Sequence, residues 1–152
     1  MIFDCSRDKY SYIKIVGRLI HERLKIYSNT HFCIDTGSPF SLISYEQAVI
    51  LQIPFGELRP AGKRSLGGFV GGAFALDGTI IQLRSNKGKL MEFAHNPLIV
   101  LGPDFQDPKG QRKVPVPGLL GYDFLRQFTL VVESEQQGGR IVLLKDQRAE
   151  YY

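Results

Sequence analysis

The stretch HFCIDTGSPFSLIS, residues 31–44, places an ionisable side chain where an apolar run ends. Asp35 directly follows that run and precedes a Thr-Gly-Ser sequence typical of turns. Because strand side chains alternate between faces, Asp35 shares a face with Cys33, while Phe32 and Ile34 point to the other side. Two interpretations follow: an aspartate that accepts the backbone donors of a turn, or a carboxylate that takes part in chemistry. On this tripeptide alone the turn is favoured.

Two glycine-bearing segments accompany the motif. The segment GKRSLGGFVGG, from Gly62 to Gly72, has too many glycines for a stable strand interior and predicts a mobile hairpin, with a disordered surface loop as the alternative. The segment PGLLGYD, residues 117–123, carries an apolar pair and a glycine before a short helical pattern. The chain therefore contains an early acidic turn, a central glycine-rich hairpin and a late apolar-apolar-glycine motif.

In this order, the three motifs resemble the retroviral-type, or retropepsin-like, aspartic proteases, which are single-domain relatives of one half of pepsin. That family has apolar-apolar-Asp-[Thr/Ser]-Gly-[Ala/Ser], then a glycine-rich flap, then apolar-apolar-Gly before a helix. The resemblance extends from about Tyr12 to Leu144. It implies an all-β fold: a closed or partly closed β-barrel of the acid-protease type, with one or two short helices and a flap hairpin, formed by residues 1–152 as one domain.

The resemblance also assigns candidate roles to single residues. Asp35 would be the catalytic carboxylate. The active-site loop would be completed by Thr36, whose hydroxyl would grip the partner's equivalent loop, by Gly37 and by Ser38, with support from Leu120 and Gly121. A Ser38 hydroxyl that donates toward the carboxylate would stabilise its ionised form. The positions implied to bind substrate are Cys33, Gly67, Gly68, Phe69, Pro117 and Leu119.

One departure from the viral pattern is informative. Viral enzymes pair an acidic residue after the Asp-Thr-Gly motif with an arginine after the late glycine, and this chain has Pro39 and Tyr122 at those positions. Losing both members of a buried ion pair is far less damaging than losing one, because no charge is left uncompensated. The departure therefore indicates a non-viral branch.

The function that the resemblance implies is hydrolysis of peptide bonds in extended substrates with apolar flanking residues. Catalysis by carboxylates needs two of them, one ionised and one protonated, and the chain carries a single Asp-Thr-Gly. A homodimer that contributes one Asp35 from each chain is therefore expected, with no cofactor and no metal. Two alternatives stay open: a catalytically weak or inert dimerisation and peptide-binding module of the same fold, and a basic β-barrel that binds nucleic acid.

Composition bears on whether the protein binds nucleic acid, a metal ion or a membrane. The chain has 152 residues, of which 43% are hydrophobic and 22% charged, and its formal net charge is +4. The basic residues are scattered, which favours solvated loops over a nucleic-acid surface. Two cysteines and three scattered histidines favour reduced thiols and no metal site. No apolar run approaches the roughly 18–20 residues of a membrane span, and the N-terminus lacks a signal-like apolar region, so a cytoplasmic protein without membrane contact is expected.

Short apolar and β-branched runs separated by turn residues predict many strands, with turns at Ser28-Asn29 and Asp77-Gly78 among others. Helical patterns are limited to Tyr45–Leu51, with Ser44 as N-cap, and Asp123–Phe128. Residues 103–118 are predicted to form an exposed proline-rich loop and residues 145–152 a polar tail.

Overall fold

The computed structural model describes residues 1–105, 109–110, 114–132 and 141–144, so the predicted tail at 145–152 lies outside the described residues. The chain is mostly β, with few and short helices. The helices are α1 (Tyr45–Ile50), a 3₁₀ turn (Phe55–Glu57) and α2 (Tyr122–Leu125). The strands are β1 (Ile2–Asp4), β2 (Ser6–Arg7), β3 (Ile13–His21), β4 (Ile26–Ile34), β5 (Leu42–Ile43), β6 (Arg59–Leu66), β7 (Phe69–Leu76), β8 (Thr79–Arg84), β9 (Leu90–His95), β10 (Leu98–Leu101), β11 (Gly118–Leu120), β12 (Thr129–Val132) and β13 (Ile141–Leu144).

Two sheets organise these strands. The larger has the order β6-β7-β10-β5-β11-β4-β3-β8-β9, with β2 added beside β3, and the smaller has the order β1-β13-β12. Within the large sheet β11 is parallel to β4, and β10 is parallel to β5. The strands that end this order, β6 and β9, do not pair with each other in the described part of the chain. The all-β prediction is confirmed, whereas a closed barrel is not found.

Strand β4 is buried on both faces where it approaches its end. Phe32 is fully buried in one apolar cluster, and Ile34 packs at the edge of that cluster. The next side chain, Cys33, belongs to a second apolar cluster on the opposite face. This confirms the predicted alternation, and it puts the residue after Ile34 on the side of the second cluster.

The two clusters differ in composition. The first is large and contains the edge-to-face aromatic rings of Phe3, Phe93 and Phe128. The second, called here the groove cluster, is smaller and joins strand ends to the β6–β7 hairpin. Its buried members are Cys33, Leu42, Ala73, Ile99, Leu101, Phe105, Val116 and Leu119, with Phe40, Ala61, Leu66, Phe69 and Val114 packed at its edge.

Several sequence predictions need correction. The turn predicted at Ser28-Asn29 is wrong: β4 runs straight through it and pairs with β3 from Ile26 to Cys33. Asn29 is exposed on the same face as Tyr27 and His31, whereas Ser28 is half-buried on the face of Ile26 and Thr30. The helix predicted to start at Asp123 begins one residue earlier, at Tyr122, and ends at Leu125. The first helix is confirmed, with the Ser44 side chain accepting a hydrogen bond from the backbone of Gln47 at 3.1 Å.

The hairpin predicted from Gly62 to Gly72 is present as the antiparallel strands β6 and β7. These strands continue through Gly62, Gly71 and Gly72, where stable strand structure was not expected. The prediction of an exposed proline-rich loop needs correction. The segment 103–118 is not exposed throughout, because Phe105 and Val116 are buried in the groove cluster. The structure describes only parts of this segment, residues 103–105, 109–110 and 114–118.

Candidate active site

Asp35 stands at the end of β4, in a tight and partly exposed turn. Its N–H donates to the carbonyl of Leu120 at 3.0 Å, which extends the parallel β4–β11 ladder by one bond. One carboxylate oxygen accepts the N–H of Gly37 at 2.9 Å, and the N–H of Ser38 donates to the Asp35 carbonyl at 3.2 Å. Asp35 is half-buried, and Thr36 beside it is exposed. The structural role proposed from sequence, an aspartate that accepts turn donors, is thus present, and it leaves the carboxylate accessible.

The late apolar-apolar-glycine motif packs directly against the turn that follows Asp35. Gly121 sits so close to the turn that an added Cβ would lie 2.6 Å from the carbonyl carbon of Phe40 and 2.8 Å from the carbonyl oxygen of Ser38. Its backbone angles, φ −94° and ψ −174°, are open to any residue, so space alone demands glycine. The N–H of Tyr122 donates to the carbonyl of Ser38 at 2.7 Å. Leu120 and Gly121 therefore contact the Asp35 loop directly.

A buried polar network continues from this contact. Ser41, fully buried, donates its N–H to Asp123 at 3.0 Å and its hydroxyl to the other oxygen of the same carboxylate at 2.7 Å. The hydroxyl oxygen of Ser41 accepts the N–H of Gly121 at 2.9 Å. Nε2 of His95 lies 3.2 Å from the Asp123 carboxylate. Burial alone would raise the pKa of Asp123, but the contacts with His95 and Ser41 outweigh it and hold that pKa below its ordinary value.

The hydroxyl of Ser38 does not reach the catalytic position suggested from sequence. Ser38 is buried, and its hydroxyl donates to the carbonyl of Phe40 at 2.8 Å instead of to the carboxylate of Asp35. A hydroxyl has one proton to donate, so stabilisation of the carboxylate by Ser38 is absent from this arrangement.

Three of the residues predicted to bind substrate meet in the groove cluster. Cys33 and Leu119 are register partners on the parallel strands β4 and β11, and Phe69 packs against the same cluster from the β6–β7 hairpin. Pro117 is half-buried just before β11, and its carbonyl accepts the N–H of Ser44 at 2.9 Å. Cys33, Leu119 and Phe69, which lie far apart in the chain, thus pack in one apolar cluster.

The glycines of the hairpin fall into two groups. Gly67 and Gly68 form its two-residue turn with φ of +54° and +85°, and an added Cβ at either would meet nothing within 4 Å. Their role is conformational, since positive φ at both positions suits a tight hairpin turn. Gly71 instead makes room, because its Cβ would lie 2.6 Å from the Cα of Phe105. The carboxylate of Asp104 accepts the N–H of Gly72 at 3.1 and 3.2 Å.

One contact joins the hairpin to the aspartate loop. The guanidinium of Arg64 on β6 lies 5.2 Å from the centre of the Phe40 ring, within the range of a cation–π interaction. The Arg64 Nε also donates to the carbonyl of Ala61 at 3.2 Å, which fixes the side chain along its own strand. The hairpin therefore lies against the loop that follows Asp35.

Sequence reasoning missed several residues that shape this region. Arg64, Ser41, His95 and Asp104 were not singled out, because each is an ordinary polar residue whose partner is distant in sequence. Asp123 accepts the backbone N–H of Ser41, a residue 82 positions away. The only available signal for Asp123 was its place two residues after the late glycine.

Both cysteines are buried and free. Burial, with a smaller effect of Asp4, raises the pKa of Cys5 to about 12. Burial also raises the pKa of Cys33, and the nearby charge of Asp35 adds to the shift.

Among the described residues there is no group of three His, Cys, Asp or Glu side chains that could hold a metal ion. In the same part of the chain no helix is long and apolar enough to cross a membrane.

The sheet order and the aspartate loop seated on the late glycine define an acid-protease-like fold. The structure resembles the crystal structure of a retropepsin-like aspartic protease from Rickettsia conorii, with a TM-score of 0.58 over 93% of this chain and 91% of that chain, at 13% sequence identity. It also resembles Basic 7S globulin from soybean, with a TM-score of 0.50 at 12% identity, over 94% of this chain but only 41% of the globulin.

No protein-family model and no curated protein matches the sequence. The match to the retropepsin-like structure confirms the predicted resemblance at the level of the fold.

Proposed function

We propose that the protein is an aspartic endopeptidase in which Asp35 is the catalytic carboxylate and an identical chain supplies the second one. The observation that carries the proposal is the placement of Asp35. It is a half-buried carboxylate at the end of a strand that is buried on both faces, held by Leu120, on the face of the groove cluster. An acid in this position borders an apolar surface on which an extended peptide can lie.

Two such carboxylates perform the reaction together. The ionised one removes a proton from a water molecule as it attacks the scissile carbonyl, and the protonated one donates to the carbonyl oxygen. The tetrahedral intermediate breaks at its C–N bond: the carboxyl group that took the proton of water gives it to the leaving nitrogen, and the other carboxylate takes back a hydroxyl proton as the carbonyl re-forms. Carboxylates about 3 Å apart share one proton because both cannot be charged at that distance. Since the chain has one Asp-Thr-Gly, a two-fold symmetric dimer supplies the pair, with the exposed Thr36 of each chain near the axis.

The β6–β7 hairpin would serve as the flap. Its side chains Leu66 and Phe69 pack against the groove cluster, and Arg64 stacks on Phe40 beside the aspartate loop. A hairpin in this place could open to admit a peptide and close over it, with Gly67 and Gly68 at its tip, which would exclude water from the reacting bond.

Substrate preference would follow from the apolar character of the groove cluster. The groove cluster presents apolar side chains, among them Cys33, Leu119 and Phe69. Burying apolar substrate side chains there is favourable by about 25 cal/mol per Å² of apolar surface removed from water. Peptides with apolar residues on both sides of the cleaved bond are therefore the expected substrates.

The direct test is Asp35→Asn, which removes the ionisable group while keeping its size. Cleavage of a peptide library should fall by about 100-fold or more between about pH 3 and pH 8, and a statine-type transition-state mimic should inhibit the parent. Asp77→Asn is the matched control, because Asp77 also precedes a glycine in a turn but lies exposed and pairs with Arg59 at 3.3 Å. A parent that cleaves no peptide, yet binds peptides, would support the inert peptide-binding module instead.

The dimer is tested separately. Sedimentation should show the same dimer for the parent and for Asp35→Asn, and activity per chain should fall on dilution below the dissociation constant of the dimer. Full activity in a chain that remains monomeric would contradict the shared pair of carboxylates.

A further inference from the structure

The loop that carries Asp35 is fastened at both of its ends to one short segment. At the start, Asp35 donates its N–H to Leu120, and in the middle Ser38 accepts the N–H of Tyr122. At the end of the loop, Ser41 is bound by Asp123. Residues 120–123 therefore hold the loop at three points, through the backbone of residues 120–122 and through the side chain of Asp123.

Every polar group of Ser41 is engaged. Its N–H and hydroxyl both donate to Asp123, its hydroxyl oxygen accepts from Gly121, and its carbonyl accepts the N–H of Ile99 at 3.1 Å. An ionised carboxylate is suited to both Ser41 donors, because it accepts on each oxygen and carries no proton of its own. An amide in its place would turn an NH₂ group toward one of these donors. Hydrogen bonds to an ionised acceptor are also about twice as strong as bonds between neutral groups.

His95 is the titratable group placed against this carboxylate from another element. It lies at the end of β9 with its side chain 8% exposed, and its Nε2 is 3.2 Å from Asp123, whose side chain is 30% exposed. Within the described residues Nε2 makes no hydrogen bond of good geometry, and it is buried against this carboxylate. Arg126, on the last turn after α2, is the other charged residue lining the cleft that His95 and Asp123 share.

We propose that Asp123 is a positioning residue of the active site, which holds the Asp35 loop through Ser41, and that His95 keeps this carboxylate ionised in acid. The catalytic part rests on the proposed endopeptidase function. The sign follows from the chemistry: protonated His95 favours the ionised Asp123, so the two Ser41 bonds persist as pH falls. They are lost only when pH falls through the lowered pKa of Asp123.

The first test compares Asp123→Asn with the parent and with the Asp77→Asn control, each at a concentration of active sites fixed by titration with a tight statine-type inhibitor. A positioning role predicts that kcat per titrated site falls by about 10- to 100-fold while KM changes little. If kcat per site is unchanged and only the number of titratable sites drops, Asp123 serves folding alone and the proposal is overturned.

The second test is the pH profile of His95→Gln. Its acid limb should move to higher pH than that of the parent, because Asp123 then takes up its proton at higher pH. An unmoved acid limb would overturn the role of His95.

The contact between Ser41 and the Asp123 carboxylate, called the clamp below, can also be tested from the Ser41 side. If Asp123→Asn does not fold, Ser41→Ala serves instead, since it removes one bond to the carboxylate and keeps the other. It should lower kcat per site less than Asp123→Asn does.

A third measurement needs no peptidase activity. Amide hydrogen exchange at Ser41 and Gly121 should accelerate by about ten-fold or more in Asp123→Asn, with the amides of β3 unchanged. If the parent cleaves nothing but this acceleration is found, the clamp stands and the endopeptidase proposal fails. If exchange is unaltered, the clamp is wrong whatever the activity.

Discussion

Replacing Gly121 by alanine should displace the catalytic loop and destabilise the protein. The added Cβ would lie 2.6 Å from the carbonyl carbon of Phe40 and in contact with the Phe40 carbonyl oxygen. Ordinary van der Waals contact starts at 3.4 Å, so the loop must retreat by at least about 0.8 Å. Such overpacking costs about 1–3 kcal/mol. Disturbing the 2.7 Å hydrogen bond from Tyr122 to Ser38 adds about 1 kcal/mol.

The expected loss in the free energy of unfolding is therefore about 2–4 kcal/mol, measured by denaturant titration. If Asp35 is catalytic, the displacement should also lower kcat by up to about 100-fold. Gly56→Ala is the control, because a Cβ there meets nothing within 4 Å and its backbone has no positive φ. Its stability should change by no more than about 0.5 kcal/mol. A Gly121→Ala protein as stable as this control would refute the close contact between the late glycine and the aspartate loop.

Three further predictions concern the hairpin and the thiols. Arg64→Ala removes the stacking on Phe40 and should accelerate amide exchange in β6 and β7 by about 3- to 10-fold, consistent with a cation–π contribution of about 0.5–1 kcal/mol. Gly68→Ala, at φ +85°, should destabilise the hairpin by about 1 kcal/mol through backbone strain alone, measured by the same exchange. Cys5 and Cys33 should react slowly with a thiol reagent at mildly alkaline pH and rapidly after unfolding, because burial raises the pKa of both.

Each of these has a clear control. Arg84→Ala removes an exposed arginine of β8 and should leave exchange in the hairpin unchanged; equal acceleration in both variants would argue against a specific contact at Phe40. For Gly68 the comparison is again Gly56→Ala, and equal stability of the two would contradict the positive φ at the turn. Fast labelling of Cys33 in the native chain would show that the groove cluster is open to solvent.

The sequence predicted most of the local structure and the order of the motifs. Asp35 could be found because a charged residue after an apolar run is costly and therefore conspicuous, and Gly121 because glycine next to an apolar pair is distinctive. The alternation of Phe32 and Cys33 followed from strand geometry alone. These features are visible because each depends on neighbours in the chain.

What the sequence did not reveal depends on pairs of residues that are distant in the chain. Ser41 and Asp123 are 82 positions apart, and nothing in either local sequence indicates the other. The turn predicted at Ser28-Asn29 was wrong for the same reason: polar residues there look like a turn until pairing with β3 is known. Strand structure through Gly72 was missed because glycine is unfavourable inside a strand, yet here Gly72 pairs with Lys63 on β6 and its N–H donates to Asp104, 32 residues away.

The double burial of β4 separates two properties that a designer would wish to alter independently. The strand that carries Asp35 is fixed along both edges, by β3 and β11, and is covered by the large cluster on one face. The hairpin packs Leu66 and Phe69 against the groove cluster on the other face, whereas Phe74 and Leu76, farther along β7, pack in the large cluster. Substitutions at Leu66 or Phe69 can therefore change the shape of the groove cluster without moving Asp35. The apolar contacts of the hairpin and the position of the carboxylate can thus be altered independently.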